Sequence, residues 1–93
     1  MGHGMREMRY EKELASADIA GHRIERLHVN ESGQEEIRFS WWKDGKFQAR
    51  PLDLPEDQLL ILFGKAIDNG VFTANFLAGL QRMLNRHLRE AEQ

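Results

Sequence analysis

EEIRFSWWKDGKF, residues 35–47, carries the strongest structural signal in this chain of 93 residues. Polar and apolar residues alternate along it, which predicts a half-buried β-strand. The Asp44-Gly45 pair predicts a tight hairpin, because glycine adopts positive φ without steric cost. Neighbouring side chains on a strand point to opposite faces, so we expect Trp41 to pack in the core and Trp42 to lie on the outer face.

Weaker strand signals flank this hairpin. Residues 47–52 are predicted to form its returning strand. Residues 23–30 are rich in β-branched and apolar side chains, which predicts a preceding strand, and Asn-Glu-Ser-Gly at 30–33 predicts the turn between the two. Residues 8–14 alternate as a further strand does, but they also contain good helix formers. Residues 16–21 are interpreted as a connection.

Past residue 52 the periodicity becomes helical. A capping box that begins with Asp53 at the N-cap predicts a first helix to about Asn69, with Gly70 as its C-terminal stop. Thr73 predicts the N-cap of a second helix that reaches about Glu90. Strands before helices predict an α+β fold, in which a three- to four-stranded antiparallel meander is followed by two C-terminal helices packed on one sheet face.

The composition limits the classes of function. The length fits a single domain, predicted over residues 8–91 after a disordered start at 1–7. A net charge of −2 gives no global attraction to nucleic acid or to an anionic membrane. The chain has no cysteine, which excludes disulfides and thiolate metal sites. No apolar run is long enough to span a bilayer, so we expect a cytoplasmic protein without membrane partners.

Catalytic and metal-binding patterns are missing from the sequence. His22 and His28 can share one face of a strand, but no third ligand has a suitable spacing. His87 falls on an apolar helix stripe, where a boundary position or a dimer contact is expected. The neighbouring carboxylates of residues 35–36 diverge on a strand and cannot share acid–base work. We therefore expect a protein that is not an enzyme and needs no metal or cofactor.

The outer face of the predicted hairpin combines cations with an aromatic plane. Lysine and arginine hold phosphates, and unpaired bases stack on aromatic rings for roughly 1–3 kcal/mol each. Three interpretations have equal weight: a surface for single-stranded nucleic acid, a solvated sheet face, or a subunit interface around Trp42. The candidate nucleic-acid-binding residues are Arg38, Trp42, Lys43, Lys46 and Arg50.

The motifs of this region follow a recognisable order: Glu36-Ile37-Arg38, then Trp41 and Trp42, an Asp-Gly turn, and a return strand before a helix. Over about residues 23–69 it resembles the single-stranded-DNA-binding domain of the transcriptional coactivator p15 (positive cofactor four) family. The resemblance implies four antiparallel strands and a helix, dimerisation through helices, and binding of single strands with little sequence preference. Leu52 and Leu54 would stand in for the family's apolar pair before the helix, and the five candidate residues above would face DNA or RNA.

The second predicted helix has two interpretations. Its apolar stripe either completes the core or packs against a second copy of the chain, and the very apolar run 59–63 supports some dimer contact. Its opposite face carries Arg82, Arg86 and Arg89, as a solvated ridge or an additional phosphate contact. A protein-interaction or assembly module without nucleic-acid binding is the alternative to the function that the resemblance implies.

Overall fold

A computed structural model of the protein describes residues 11–48 and 52–92. Its strands are β1 (Glu11–Ile19), β2 (His22–Val29), β3 (Gln34–Lys43), β4 (Lys46–Phe47) and β5 (Leu52–Leu54). Its helices are α1 (Glu56–Asp68) and α2 (Ala74–Ala91). The predicted α+β class, with an antiparallel sheet followed by two C-terminal helices, is confirmed. The start predicted to be disordered, residues 1–7, lies outside the described residues, as do residues 8–10 of the first predicted strand.

The sheet is a meander of consecutive hairpins. Its order is β1-β2-β3-β4, and β5 also pairs with β3. β4 lies opposite Trp42 and Lys43, whereas β5 lies opposite residues 37–39. The single returning strand predicted over residues 47–52 is therefore two short strands that pair with different parts of β3, and residues 49–51 between them lie outside the described residues.

The β1–β2 turn contradicts the connection predicted at residues 16–21. β1 continues to Ile19, which lies opposite His22, and only Ala20 and Gly21 form the turn. Both have positive φ, 51° and 83°, as a two-residue type I′ turn requires. Ala-Gly is a weaker turn signal than Asp-Gly, which is why the sequence did not separate strand from turn here.

The β3–β4 turn confirms the hairpin predicted at Asp44-Gly45. Their φ angles are 52° and 75°, and Lys43 and Lys46 lie directly opposite each other on either side. The predicted turn before β3 is also present, since the Gly33 N–H donates to the Val29 carbonyl at 2.8 Å. Local turn chemistry thus fixes both ends of β3.

A β-bulge in β1 changes which side chains share a face. The register with β2 shifts between Glu13 and Ala15, so Leu14 is the additional residue. The shift places Glu13 on the same face as Ser16, although the two are an odd number of positions apart.

The first helix begins later than the capping box predicts. Asp53 belongs to β5, where its carboxylate is bonded to Arg38, so the prediction of Asp53 as the N-cap is wrong. The first helical hydrogen bond instead runs from the Leu59 N–H to the Pro55 carbonyl at 3.0 Å. At the other end, Gly70 has a φ of 72° and the Val71 N–H reaches the Ala66 carbonyl, which is a Schellman motif and confirms the predicted stop.

The second helix begins where the sequence predicts. The Thr73 hydroxyl oxygen accepts from the Phe76 N–H at 3.1 Å, which confirms it as the N-cap. Phe72 stacks on Phe63 with ring centroids 4.9 Å apart and on Phe76 at 4.8 Å. Three aromatic rings therefore join the end of α1 to the beginning of α2.

The chain divides into two compact units with the boundary between Leu60 and Ile61. Among the described residues, the buried hydrophobic side chains are Leu27 and Ile37, both in the sheet unit. The single domain over residues 8–91 and the packing of the helices on one sheet face stay predictions.

Candidate functional site

The two faces of the sheet differ in chemistry. One, here called the charged face, carries ionisable side chains from four strands: Glu11, Glu13, Arg23, Glu25, Arg38 and Asp53. The other, here called the apolar face, carries large hydrophobic side chains: Ile19, Ile24, Phe39, Trp41 and Leu52. Arg38 and Trp42 share the charged face, as the alternation in the sequence predicts.

Arg38 is held by two carboxylates. Its Nε donates to Asp53 Oδ1 at 2.8 Å and its Nη2 to Asp53 Oδ2 at 2.9 Å, while Nη1 and Nη2 donate to the Glu11 oxygens at 2.7 and 2.8 Å. These hydrogen bonds, first those from Asp53, raise the pKa of Arg38 above its ordinary value against the opposing effect of burial. The side chain is 13% exposed, so its charge is neutralised within the fold and ties β1 and β5 to β3.

A second group of charges lies on β1 and β2. Arg23 Nη2 contacts Glu13 Oε1 at 2.8 Å, and Arg23 Nε lies 3.5 Å from Glu25 Oε2. Both carboxylate side chains are 0% exposed. The two carboxylates therefore lie in the interior of the sheet unit and are paired with Arg23, whose own side chain is 16% exposed.

Trp42 is packed rather than open to solvent. Its indole N–H donates to the Ser40 hydroxyl at 3.2 Å, its ring meets that of Phe47 edge-on at 5.2 Å, and the Arg23 guanidinium lies 5.9 Å from its centroid. Trp41, on the apolar face, is 49% exposed. The prediction that Trp41 is the buried tryptophan is therefore wrong, because cross-strand neighbours enclose Trp42.

Lys43 and Lys46 flank the hairpin turn and both are exposed. They are directly opposite in the β3–β4 ladder, next to the Trp42–Phe47 pair. Like charges at directly opposite positions destabilise a hairpin. The fifth candidate residue, Arg50, lies outside the described residues. Of the other four, Arg38 and Trp42 share one face of the sheet, whereas Lys43 and its cross-strand partner Lys46 lie on the opposite face.

The apolar face includes a groove across β1, β2 and β3, and Ile19, Ile24 and Trp41 are among its lining residues. Ile24 lies opposite Phe39, Phe39 lies opposite Leu52, and Trp41 lies opposite His22. Ile19 is 77% exposed, and Ile24, Trp41 and Leu52 are each about half exposed. Contiguous exposed apolar surface marks sites of association.

The helices also expose apolar side chains. No residue of α2 is buried, and Phe76, Met83, Leu84 and Leu88 are 47% to 58% exposed. Together with Leu77, Leu80 and His87 they form one stripe along the helix, here called the α2 stripe. The opposite side of α2 carries the arginines Arg82, Arg86 and Arg89, here called the arginine ridge.

Sequence reasoning missed the charged face. Glu11, Glu13 and Arg23 were not singled out, because the sequence of one strand does not show which strands are its neighbours or in what register they pair. A usable signal is the presence of charged residues at alternate positions in each of three predicted strands. Strands of that kind are expected to align their charges on one face.

Neither a metal site nor a membrane-crossing helix is present within residues 11–48 and 52–92. No group of three or more His, Asp and Glu side chains there could hold an ion. Neither helix is long and apolar enough to cross a bilayer.

Comparisons of the chain with family models, with curated proteins and with solved structures found no match. The resemblance to the p15 coactivator family thus rests on the short motifs of residues 23–69 alone.

Proposed function

We propose that this chain is an assembly module that forms a homodimer by packing the α2 stripe of one copy against that of a second. The observation that carries the proposal is the exposure of the stripe. An amphipathic helix in water depends on covering its apolar face for most of its stability. α2 is 18 residues long and buries none of its side chains in the single chain.

A second copy fits the stripe better than an unlike partner does. The stripe is apolar from Phe76 to Leu88 with His87 as its one titratable member, so it offers no charge that would select a complementary partner. A two-fold interface uses the same patch on both subunits, so an uncharged stripe can pack against its own copy. Covering a half-exposed leucine or methionine contributes about 1 kcal/mol. The small hydrophobic core of the described residues gives the chain a further reason to gain stability by association.

Sedimentation equilibrium tests the proposal with two variants of equal charge change. Leu84→Asp places a carboxylate on the stripe, whereas Asn85→Asp places one on the polar side of the same helix turn. The wild type and Asn85→Asp are expected to be dimers, and Leu84→Asp a monomer that keeps its helical circular dichroism. A monomeric wild type, or a dimeric Leu84→Asp, contradicts the proposal.

Single-stranded nucleic acid at the β3–β4 hairpin is a second candidate function, supported by the opposed lysines. Lys43 and Lys46 repel each other without any gain to the fold, and a phosphate between them would relieve that repulsion. Trp41 lies two residues before Lys43, and so on the same face of β3, and its 49% exposed ring supplies aromatic surface for stacking. The resemblance to the p15 family implies the same ligand, DNA or RNA, with little sequence preference.

Tryptophan-fluorescence titration with short oligothymidylate and oligouridylate tests this function. Two single-tryptophan variants, Trp41→Phe and Trp42→Phe, identify the ring that responds. We expect quenching that weakens with salt and that is lost in Lys43→Ala/Lys46→Ala but kept in the control Lys12→Ala/Lys65→Ala. The same response in both double variants, or none in the wild type, rules out a hairpin site.

A further inference from the structure

The arginines of the described residues fall into two groups. Arg23, Arg26 and Arg38 of the sheet each lie within 2.8 Å of a carboxylate oxygen. The arginines of the ridge form no ion pair within residues 11–48 and 52–92. The guanidinium groups of the sheet are therefore neutralised by carboxylates, whereas those of the arginine ridge are unpaired within the described residues and exposed to solvent.

The ridge is closely spaced. At 100° and 1.5 Å per residue, Arg82, Arg86 and Arg89 span about 60° of arc and ~10 Å along the axis. They line one open depression, whose other lining residues are Gly79, Met83, Asn85, Leu88 and the carboxylate Glu92.

The spacing also costs stability to the helix. Arg82 and Arg86 are four residues apart, and Arg86 and Arg89 three apart, so both pairs are like-charge neighbours. Such pairs destabilise a helix by about 0.2–0.5 kcal/mol each. The first turn of α2 has no acidic residue, and the carboxylate within α2 is Glu90, which follows Arg89 and is succeeded by Glu92 at the C-cap. An anion bound along the ridge would remove the repulsion.

We propose that the arginine ridge of α2 binds the phosphate backbone of a nucleic acid. Guanidinium groups donate two parallel hydrogen bonds to phosphate oxygens, and a row of them follows a chain of phosphates. This site is separate from the hairpin and does not require it. Dimerisation through the α2 stripe leaves the ridge outward and presents one ridge on each copy.

The position of the ridge separates this ligand from an anionic membrane. A helix that lies in a membrane interface buries its apolar stripe and interacts best through cations at the borders of that stripe. The ridge instead lies roughly opposite the stripe, about 150° away at 100° per residue. A stripe in the acyl layer would hold the guanidinium groups away from the headgroups.

The experiment compares the wild type with Arg82→Gln/Arg86→Gln/Arg89→Gln by fluorescence anisotropy of a labelled oligothymidylate over a series of salt concentrations. The control Lys12→Gln/Lys65→Gln/Gln58→Glu lowers the net charge by the same amount at exposed sites elsewhere. Each phosphate contact contributes ~0.7 to the slope of log K against log salt for single strands, so the ridge variant should lose ~2 from the slope. The control should keep the wild-type slope.

Additional measurements distinguish a loss of folding or association from a loss of nucleic-acid binding. Circular dichroism and sedimentation confirm that the ridge variant keeps its helix and its association state. Lys43→Ala/Lys46→Ala should keep the contribution of the ridge to the slope, because the ridge binds independently of the hairpin. Equal slopes for the wild type and the ridge variant overturn the proposal, as does binding to phosphatidylserine vesicles without binding to the oligonucleotide.

Discussion

Arg38 and Asp53 lie opposite each other on β3 and β5, and their side chains are joined by two parallel hydrogen bonds, Nε to Oδ1 at 2.8 Å and Nη2 to Oδ2 at 2.9 Å. The same guanidinium holds Glu11 on β1. One side chain therefore connects three strands. This explains how a sheet with few buried hydrophobic residues keeps its strands together.

Arg38→Ala should lower the free energy of unfolding by about 2 kcal/mol. Removing one partner from a fully buried pair costs ~3–5 kcal/mol, and the partial exposure of Asp53 and Glu11 reduces that cost. Urea denaturation followed by tryptophan fluorescence measures the change. The control is Arg26→Ala, whose pairs with Glu35 and Glu56 are more exposed and whose loss should hardly move the midpoint. Equal shifts in the two variants contradict a structural role for Arg38.

Trp42→Ala should destabilise the chain more than Trp41→Ala does. Trp42 loses its contacts with Phe47 and Arg23 and its hydrogen bond to Ser40, at a cost of about 3 kcal/mol, within the range for large-to-small substitutions of packed aromatic residues. Trp41 is half exposed, so its loss should cost under about 1 kcal/mol. Thermal denaturation by circular dichroism compares the two. A larger loss for Trp41→Ala would mean that another surface covers the apolar face.

Gly21→Ala should be more destabilising than Gly33→Ala. Both glycines have positive φ, 83° and 73°, which costs an L-residue roughly 1–2 kcal/mol. A Cβ at position 21 would also lie 2.9 Å from the Trp42 carbonyl oxygen, whereas nothing lies within 4 Å of one at position 33. The Trp42 N–H donates to the Gly21 carbonyl at 2.7 Å, so this backbone cannot easily move away. Denaturation midpoints that shift equally would show that the close approach is not maintained in solution.

His87→Leu should strengthen the proposed homodimer. His87 interrupts the apolar side chains of the α2 stripe between Leu84 and Leu88. Its imidazole would lose hydrogen bonds to water on association, and the apolar side chains around it supply none in return. We expect the dissociation constant measured by sedimentation to fall several-fold. Asn85→Leu adds the same side chain on the polar side of the helix and is the control. A dissociation constant that falls equally in both variants indicates non-specific association.

The parts of the fold that the sequence predicts are those set by neighbouring residues. Asp44-Gly45, Gly70 and Thr73 each act through their own backbone or through the next turn, and each is where the sequence places it. Asp53 shows where prediction from neighbouring residues fails. Its residue type and spacing fit an N-cap, but Arg38, which is distant in sequence, takes its carboxylate.

The candidate site was predictable only in part, for the same reason. Alternation correctly separated Trp41 from Trp42, yet it could not say which of the two faces is enclosed. That depends on Phe47 and Arg23, which reach Trp42 across strands. The β-bulge at Leu14 also changes which side chains of β1 share a face, and the alternation of polar and apolar residues does not predict it.

The buried Arg–carboxylate layer has a calorimetric consequence. Exposure of apolar surface raises the heat capacity on unfolding, whereas exposure of polar surface lowers it. The interior of the sheet unit holds Glu13, Glu25 and Arg23 beside Leu27. Its unfolding should therefore show a heat-capacity increment below the ~12–15 cal/mol/K per residue usual for globular domains. The stability of the sheet should accordingly vary little with temperature.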